Sequence, residues 1–207
     1  MIDKYFDPHE KVYETRCNLP HWNQRGKITF ITFRLADSIP DSVVREYQYE
    51  EMAWREEHPN PVNKELEEWH RERHNRLERY LDMGHGLCLL AQLKYRNILT
   101  DSIAFLDGTR CIVHTYVIMP NHIHLLIEPL GDWTIQKIIN SLKMYTAKRI
   151  NSLSGNKGRL WRKDYFDRII RNEKNYLRVL GYIKANPYKL PKGTYTYYIK
   201  PELEYLV

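Results

Sequence analysis

Two histidines separated by one isoleucine, His122 and His124, are the first residues of this chain whose types and spacing suggest shared chemistry. They stand in the stretch MPNHIHLLIEP, where an apolar run after a Pro-Asn turn signal predicts a strand. Strand side chains alternate, so both histidines share one face, and the opposite face is wholly apolar. Two imidazoles about 7 Å apart at Cβ can converge on one metal ion. The alternative is an ordinary pair of half-buried strand histidines.

A third ligand is available in the stretch GYIKANP, where Tyr182 and Asn186 are four residues apart and share a helix face. Two imidazoles and one amide oxygen form a neutral site that suits Mg²⁺ or Mn²⁺ and keeps positions for phosphate oxygens. The Tyr182 phenol has an ordinary pKa of about 10 and is a poor nucleophile at neutral pH unless activated. A cation that neutralises the attacked phosphate helps by making the phosphorus more electrophilic. Structural alternatives are a core aromatic for Tyr182 and a helix-end residue for Asn186.

Charge is polarised along the chain, whose formal net charge is +6. Residues 143–178 contain 11 Lys/Arg and 3 Asp/Glu, whereas residues 41–82 contain 7 Lys/Arg and 12 Asp/Glu. The basic segment could therefore neutralise phosphates, and the acidic segment would repel them. A solvated helix face is the structural alternative for the basic residues. The candidate DNA-binding residues are Lys143, Lys148, Arg149, Arg162, Lys163, Arg168 and Arg171.

The cysteines and the apolar runs indicate a cytoplasmic protein without a membrane partner. Cys17, Cys88 and Cys111 are odd in number and lack a C-x-x-C pair, which disfavours a disulfide framework or a cysteine zinc site. The first ten residues, MIDKYFDPHE, are too charged for a signal-peptide core. No apolar run approaches the roughly 20 residues of a membrane span.

Periodicity predicts an α+β fold. Residues 1–25 are expected to be irregular. Strands are predicted at 27–35, 110–119, 122–128 and 165–170, and helices at 41–57, 63–83, 90–106, 133–150 and 172–185. Without an insertion, the order matches a ferredoxin-like βαββαβ core with an antiparallel sheet, followed by a helix that bears Tyr182. We expect a single domain over residues 1–207, with an acidic helical insertion at about 41–107.

Several ordered motifs resemble the REP-associated tyrosine transposases of the HUH endonuclease superfamily. VIMPNHIHLLIEP is similar to the family's histidine–hydrophobic–histidine strand, and LWRKDYFDRIIRNEKNYLRVLGYIKANP to its Trp-to-Arg strand and tyrosine helix. GKITFITFRLADSIP resembles the first strand, and YLDMGHGLCLL the segment before the second. The resemblance runs from about residue 14 to 188. The C-terminal tail departs from it, since it lacks the Trp and Ser-Ser pattern of many relatives.

The resemblance implies that His122, His124 and Asn186 bind the metal and that Tyr182 is the nucleophile. It implies metal-dependent cleavage and rejoining of single-stranded DNA beside a hairpin, through a 5′-phosphotyrosine link and a free 3′-OH. It further implies a bacterial, nucleoid-associated protein, and homodimers occur among relatives.

Two other functions remain open at this stage. One is a domesticated regulator that binds hairpin DNA with little or no catalysis. The other is a zinc hydrolase using His114, His122 and His124, which the lack of an H-E-x-x-H helix disfavours.

Overall fold

The computed structural model describes residues 4–16 and 20–207. The predicted strands and helices occur in the predicted order, together with further short strands. The elements, in chain order, are β1 (Tyr13–Arg16), β2 (Pro20–Asn23), β3 (Thr29–Arg34), α1 (Asp41–Glu57), α2 (Asn63–Asp82), α3 (Leu93–Leu106), β4 (Cys111–Ile118), β5 (His122–Pro129), α4 (Ile135–Ser154), β6 (Phe166–Ile169), α5 (Glu173–Ala185) and β7 (Thr196–Ile199).

The chain divides into two compact units. The first comprises Met1–Ala36 and Leu89–Val207, and the second comprises Asp37–Cys88. The second unit therefore covers the first part of the region assigned to an insertion at about 41–107, whereas α3 belongs to the first unit. In the second unit, α1 and α2 are joined by stacked Trp54 and Trp69, with ring centroids 5.1 Å apart.

A five-stranded antiparallel sheet forms the centre of the first unit, in the order β6-β3-β5-β4-β7. The first four of these strands follow the ferredoxin-like order, and the predicted α+β class is confirmed. β4 and β5 form a tight hairpin across the Pro-Asn turn, in which Met119 N donates to His122 O at 2.9 Å. β5 is the central strand and pairs with β3 on one side and β4 on the other.

The two faces of this sheet carry separate hydrophobic cores. Ile123, Leu125 and Ile127 of β5 pack with α3 and α4, as the alternation predicted. The other face meets α5, whose Leu180 and Ile183 pack with residues that include Leu126. The histidine face of β5 is therefore the face covered by the tyrosine helix.

One prediction about the chain ends was wrong, and one strand was not predicted. Residues 1–25 are not wholly irregular, because β1 and β2 pair as antiparallel strands. The C-terminal tail contributes β7, which pairs with β4 at the edge of the main sheet. The β-branched and aromatic run TYTYYI was the signal for this strand.

Helix boundaries follow local capping chemistry. The helix predicted at 133–150 continues to Ser154 and ends at Gly155, whose φ of 75° is the left-handed conformation that glycine accepts at a helix end. Asn172 caps the N-terminus of α5, since its side chain accepts from Asn175 N at 2.9 Å.

The described residues include two free cysteines and no helix that could span a membrane. Cys88 and Cys111 are free thiols, and Cys17 lies outside the described residues. Within residues 4–16 and 20–207, no helix has the length and apolar composition needed to cross a membrane.

Candidate active site

The imidazoles of His122 and His124 converge on the sheet face beneath α5. Their Nε2 atoms are 3.1 Å apart, and both side chains are fully buried. Strand alternation alone would leave their Cβ atoms about 7 Å apart, so the rings have turned toward each other. A single ion with metal–nitrogen bonds of about 2.1 Å can span this separation.

The outer nitrogen of each ring is held by a neighbouring polar side chain. His122 Nδ1 lies 2.7 Å from Asn121 Oδ1, and His124 Nδ1 lies 2.8 Å from Thr32 Oγ1. Because an amide oxygen only accepts, His122 donates from Nδ1 and its Nε2 carries a lone pair. The Thr32 hydroxyl can accept in the same way from His124. Hydrogen bonds of this kind are those that orient histidine ligands in metal sites.

Burial keeps His122 neutral. Desolvation by burial, with a smaller effect of Lys189, lowers the pKa of His122 to about 3. A neutral imidazole is the form that binds a metal. With their Nδ1 atoms directed to Asn121 and Thr32, both rings can offer Nε2 to one cation, so this donor set fits a divalent ion.

Tyr182 lies beside the histidine pair. Its Oη is 3.5 Å from His124 Nε2, a long contact rather than a strong hydrogen bond. The Tyr182 ring packs edge-on against Phe30 and His124, with centroids 5.9 and 5.2 Å away. The residue is 38% exposed, so part of Tyr182 is accessible from solvent.

Asn186 follows Tyr182 by one helical turn and is buried. Its Nδ2 donates to the carbonyl oxygen of Tyr182 at 3.0 Å. This contact is the one expected of a residue that ends a helix. It also fixes the amide beside the backbone of the tyrosine.

His114 belongs to a different network. Its Nδ1 lies 2.7 Å from Tyr176 Oη, and its Nε2 lies 3.6 Å from Glu128 Oε2. A register shift between Val113 and Thr115 in β4 accompanies this placement. The ring is therefore turned to Tyr176 of α5 rather than to His122 and His124, which opposes the zinc-hydrolase alternative.

The candidate DNA-binding residues are divided by their burial. Lys148, Arg149, Lys163, Arg168 and Arg171 are exposed, and Arg162 is half-buried. Lys143 is buried, and its Nζ donates to the carbonyl oxygens of Arg162 and Lys163 at 2.6 and 2.8 Å. Its position does not support the predicted DNA contact, because a buried, bonded ammonium has little access to a phosphate.

Two side chains of the site were missed by sequence reasoning. Asn121 had been assigned only to the turn before β5, although it immediately precedes His122. Thr32 could not be identified by spacing, because it meets His124 from a strand 92 residues away. The polar Thr32 inside the apolar run ITFITF was the available signal.

Comparison with known sequences places this geometry in context. Residues 94–186 match the family model described as "Transposase IS200 like". The chain is similar to the IS200-like transposases. The matched segment contains His122, His124, Tyr182 and Asn186, and the resemblance to transposases drawn from the sequence is confirmed.

Individual relatives of this transposase-like chain are more distant. An uncharacterized protein of Haemophilus influenzae is 31% identical over an alignment of 99 residues, and the match covers 36% of this chain and 53% of that protein. The chain thus spans about half the length of this curated relative. A solved structure of a REP-associated tyrosine transposase bound to a REP hairpin has 18% identity and a TM-score of 0.46, covering 84% of this chain and 74% of that one.

Proposed function

We propose that this protein is a metal-dependent single-strand DNA endonuclease and strand transferase that acts at hairpin DNA through a 5′-phosphotyrosine intermediate. The observation that carries the proposal is the meeting of His122, His124 and Tyr182 at one place, with the Nε2 atoms 3.1 Å apart and the phenol 3.5 Å from His124. A protein that only binds hairpins has no need for a nucleophile beside two paired imidazoles.

The proposed metal ligands are His122 Nε2, His124 Nε2 and Asn186 Oδ1, because Asn186 Nδ2 already donates to Tyr182 O. Nitrogen and neutral oxygen donors suit Mn²⁺ or Mg²⁺. When bound, the ion would neutralise charge on the phosphate and make the phosphorus more electrophilic.

Tyr182 would carry the covalent step. Its Oη attacks the scissile phosphorus, the Oη–P bond forms, and the P–O3′ bond breaks. The phenol proton leaves to water at the exposed side of the ring, and the 3′ oxygen takes up a proton to become a 3′-OH. Rejoining is the same exchange in reverse, so no external energy source is needed.

DNA would be held by the exposed basic residues of the segment 143–178. Lys148, Arg149, Lys163, Arg168 and Arg171 can neutralise backbone phosphates without reading sequence. Tyr145 is 55% exposed and can stack on an unpaired base. Trp161 and Tyr165 are instead buried in the core of the first unit.

The test uses the hairpin repeats that flank the protein's own gene, labelled at the 3′ end of the strand. A denaturing gel should show a covalent protein–DNA adduct that disappears with a chelator and returns with Mg²⁺ or Mn²⁺. Tyr182→Phe should abolish the adduct and keep hairpin binding, and His122→Ala should abolish metal-dependent cleavage.

The matched control is Tyr188→Phe, because Tyr188 is 77% exposed and lies just beyond the helix. It should keep the wild-type rate. An adduct formed by the Tyr182→Phe protein at the wild-type rate would contradict the proposal. Hairpin binding by the wild-type protein without any adduct would favour the regulator alternative.

A further inference from the structure

A second cationic feature lies beside the histidine pair. Arg34 is the last residue of β3, and it stands directly opposite His122 in the β3–β5 register, as Thr32 stands opposite His124. Opposed residues of an antiparallel pair share a face, with Cβ atoms about 4.5–5.5 Å apart. The Arg34 side chain therefore rises from the same sheet face as the two imidazoles.

Arg162 is held next to Arg34 by the backbone. Its N–H donates to the carbonyl oxygen of Arg34 at 3.0 Å, and the preceding residue, Trp161, forms a bridge with Leu35. Trp161 is buried, and its Nε1 donates to Thr146 Oγ1 at 3.0 Å. The segment that carries Arg162 is thus anchored to both β3 and α4.

Lys143 supports the segment that carries Arg162. Its buried ammonium donates to the carbonyl oxygens of Arg162 and Lys163, at 2.6 and 2.8 Å. A charged donor with two backbone acceptors fixes the path of this segment more firmly than a neutral hydrogen bond would. The buried Lys143 therefore positions Arg162.

The guanidinium groups of Arg34 and Arg162 are near enough to affect each other. Burial, together with a smaller effect of the Arg162 charge, lowers the pKa of Arg34 to about 10, and Asp164 opposes the shift. Arg34 stays charged at neutral pH, so two positive charges face one negative charge in a half-buried place. An anion placed between them would be attracted more strongly than in open water.

We propose that Arg34 and Arg162 form a phosphate clamp that binds the scissile phosphate beside His122, His124 and Tyr182. The inference rests on the proposed function. It adds Arg34, which lies outside the basic segment 143–178, to the residues that would contact DNA. A guanidinium group can donate two parallel hydrogen bonds to two oxygens of one phosphate. Their positive charge stabilises the additional negative charge that develops when the phenol attacks.

The experiment measures single-turnover adduct formation at saturating hairpin DNA for wild type, Arg34→Gln, Arg162→Gln and the double variant. Each single change should slow the reaction on the order of 100-fold, the usual loss of one charge-stabilising donor, while hairpin affinity stays near wild type. The double variant should lose less than the product of the two single losses, because both residues bind the same phosphate.

Arg45→Gln is the matched control, since Arg45 is exposed on α1 in the other unit and its loss removes the same charge. It should react at the wild-type rate. Thermal unfolding checks that each variant is folded. If Arg34→Gln does not fold, the half-buried loop residue Arg162 decides the question by itself.

The outcomes separate the two claims. Wild-type rates in both single variants, or losses that multiply in the double variant, would overturn the clamp and leave the proposed function standing. Absence of any adduct from the wild-type protein would overturn the proposed function, and the clamp with it.

Discussion

The hydrogen bond between Thr32 and His124 offers a sensitive test of the metal site. Thr32 is 5% exposed, His124 is fully buried, and Thr32 Oγ1 lies 2.8 Å from His124 Nδ1. Thr32→Val replaces the hydroxyl by a methyl group of similar shape and keeps a β-branched residue in the strand. The change therefore removes the hydrogen bond with little change in packing.

Two magnitudes follow from that geometry. Loss of a partner for a buried polar atom costs about 1–3 kcal/mol in the free energy of unfolding. Loss of the hydrogen bond that orients a histidine ligand typically weakens metal binding by about 10- to 100-fold. Since each tenfold change in affinity is about 1.4 kcal/mol, the expected loss in binding free energy is roughly 1.4–2.8 kcal/mol.

Calorimetric titration of the purified protein with Mn²⁺ measures the affinity without relying on DNA cleavage. The matched control is Thr29→Val on the same strand. Thr29 is equally buried, but its Oγ1 donates to Lys27 O at 3.1 Å on the opposite face. Thr29→Val should lose stability and keep its Mn²⁺ affinity. Equal Mn²⁺ affinities for Thr32→Val and wild type would refute the ligand role of His124.

Two further predictions concern Lys143 and His122. Lys143→Met should destabilise the fold by about 1–3 kcal/mol, because the carbonyl oxygens of Arg162 and Lys163 lose a charged donor. The control, Lys163→Met, changes an exposed residue. It should keep the stability of the wild type and reduce the salt slope of hairpin binding by about 1. Chemical denaturation and binding at several salt concentrations distinguish the two; a salt-slope change in the Lys143 variant with unchanged stability would contradict its buried role. In metal-free protein, the His122 pKa of about 3 lies below its ordinary 6.5, so the unfolded chain binds more protons and stability falls as pH drops from about 6.5 toward 3. The free energy of unfolding should be lower by about 2 kcal/mol at pH 5, and it should decline less between pH 7.5 and 5 in His122→Gln than in the wild type. Identical declines in the two proteins would be evidence against a lowered His122 pKa.

Local patterns in the sequence determined which residues could act and on which side of an element they lie. Alternation along β5 placed His122 and His124 on the face opposite Ile123, Leu125 and Ile127, and the structure confirms that division. A four-residue spacing placed Tyr182 and Asn186 on one face of α5. These rules work because strand and helix repeats act over a few residues, where chain geometry alone decides direction.

Only the tertiary structure decided which distant residues surround the site. The register of β3 on β5 places Thr32 and Arg34 opposite the histidines, and no local spacing relates residues so far apart along the chain. Burial turned Lys143 from an apparent DNA contact into a support for the Arg162 segment. The physical reason is the same in each case: a side chain's type and spacing set what it can bind, but strand register and desolvation select its partner.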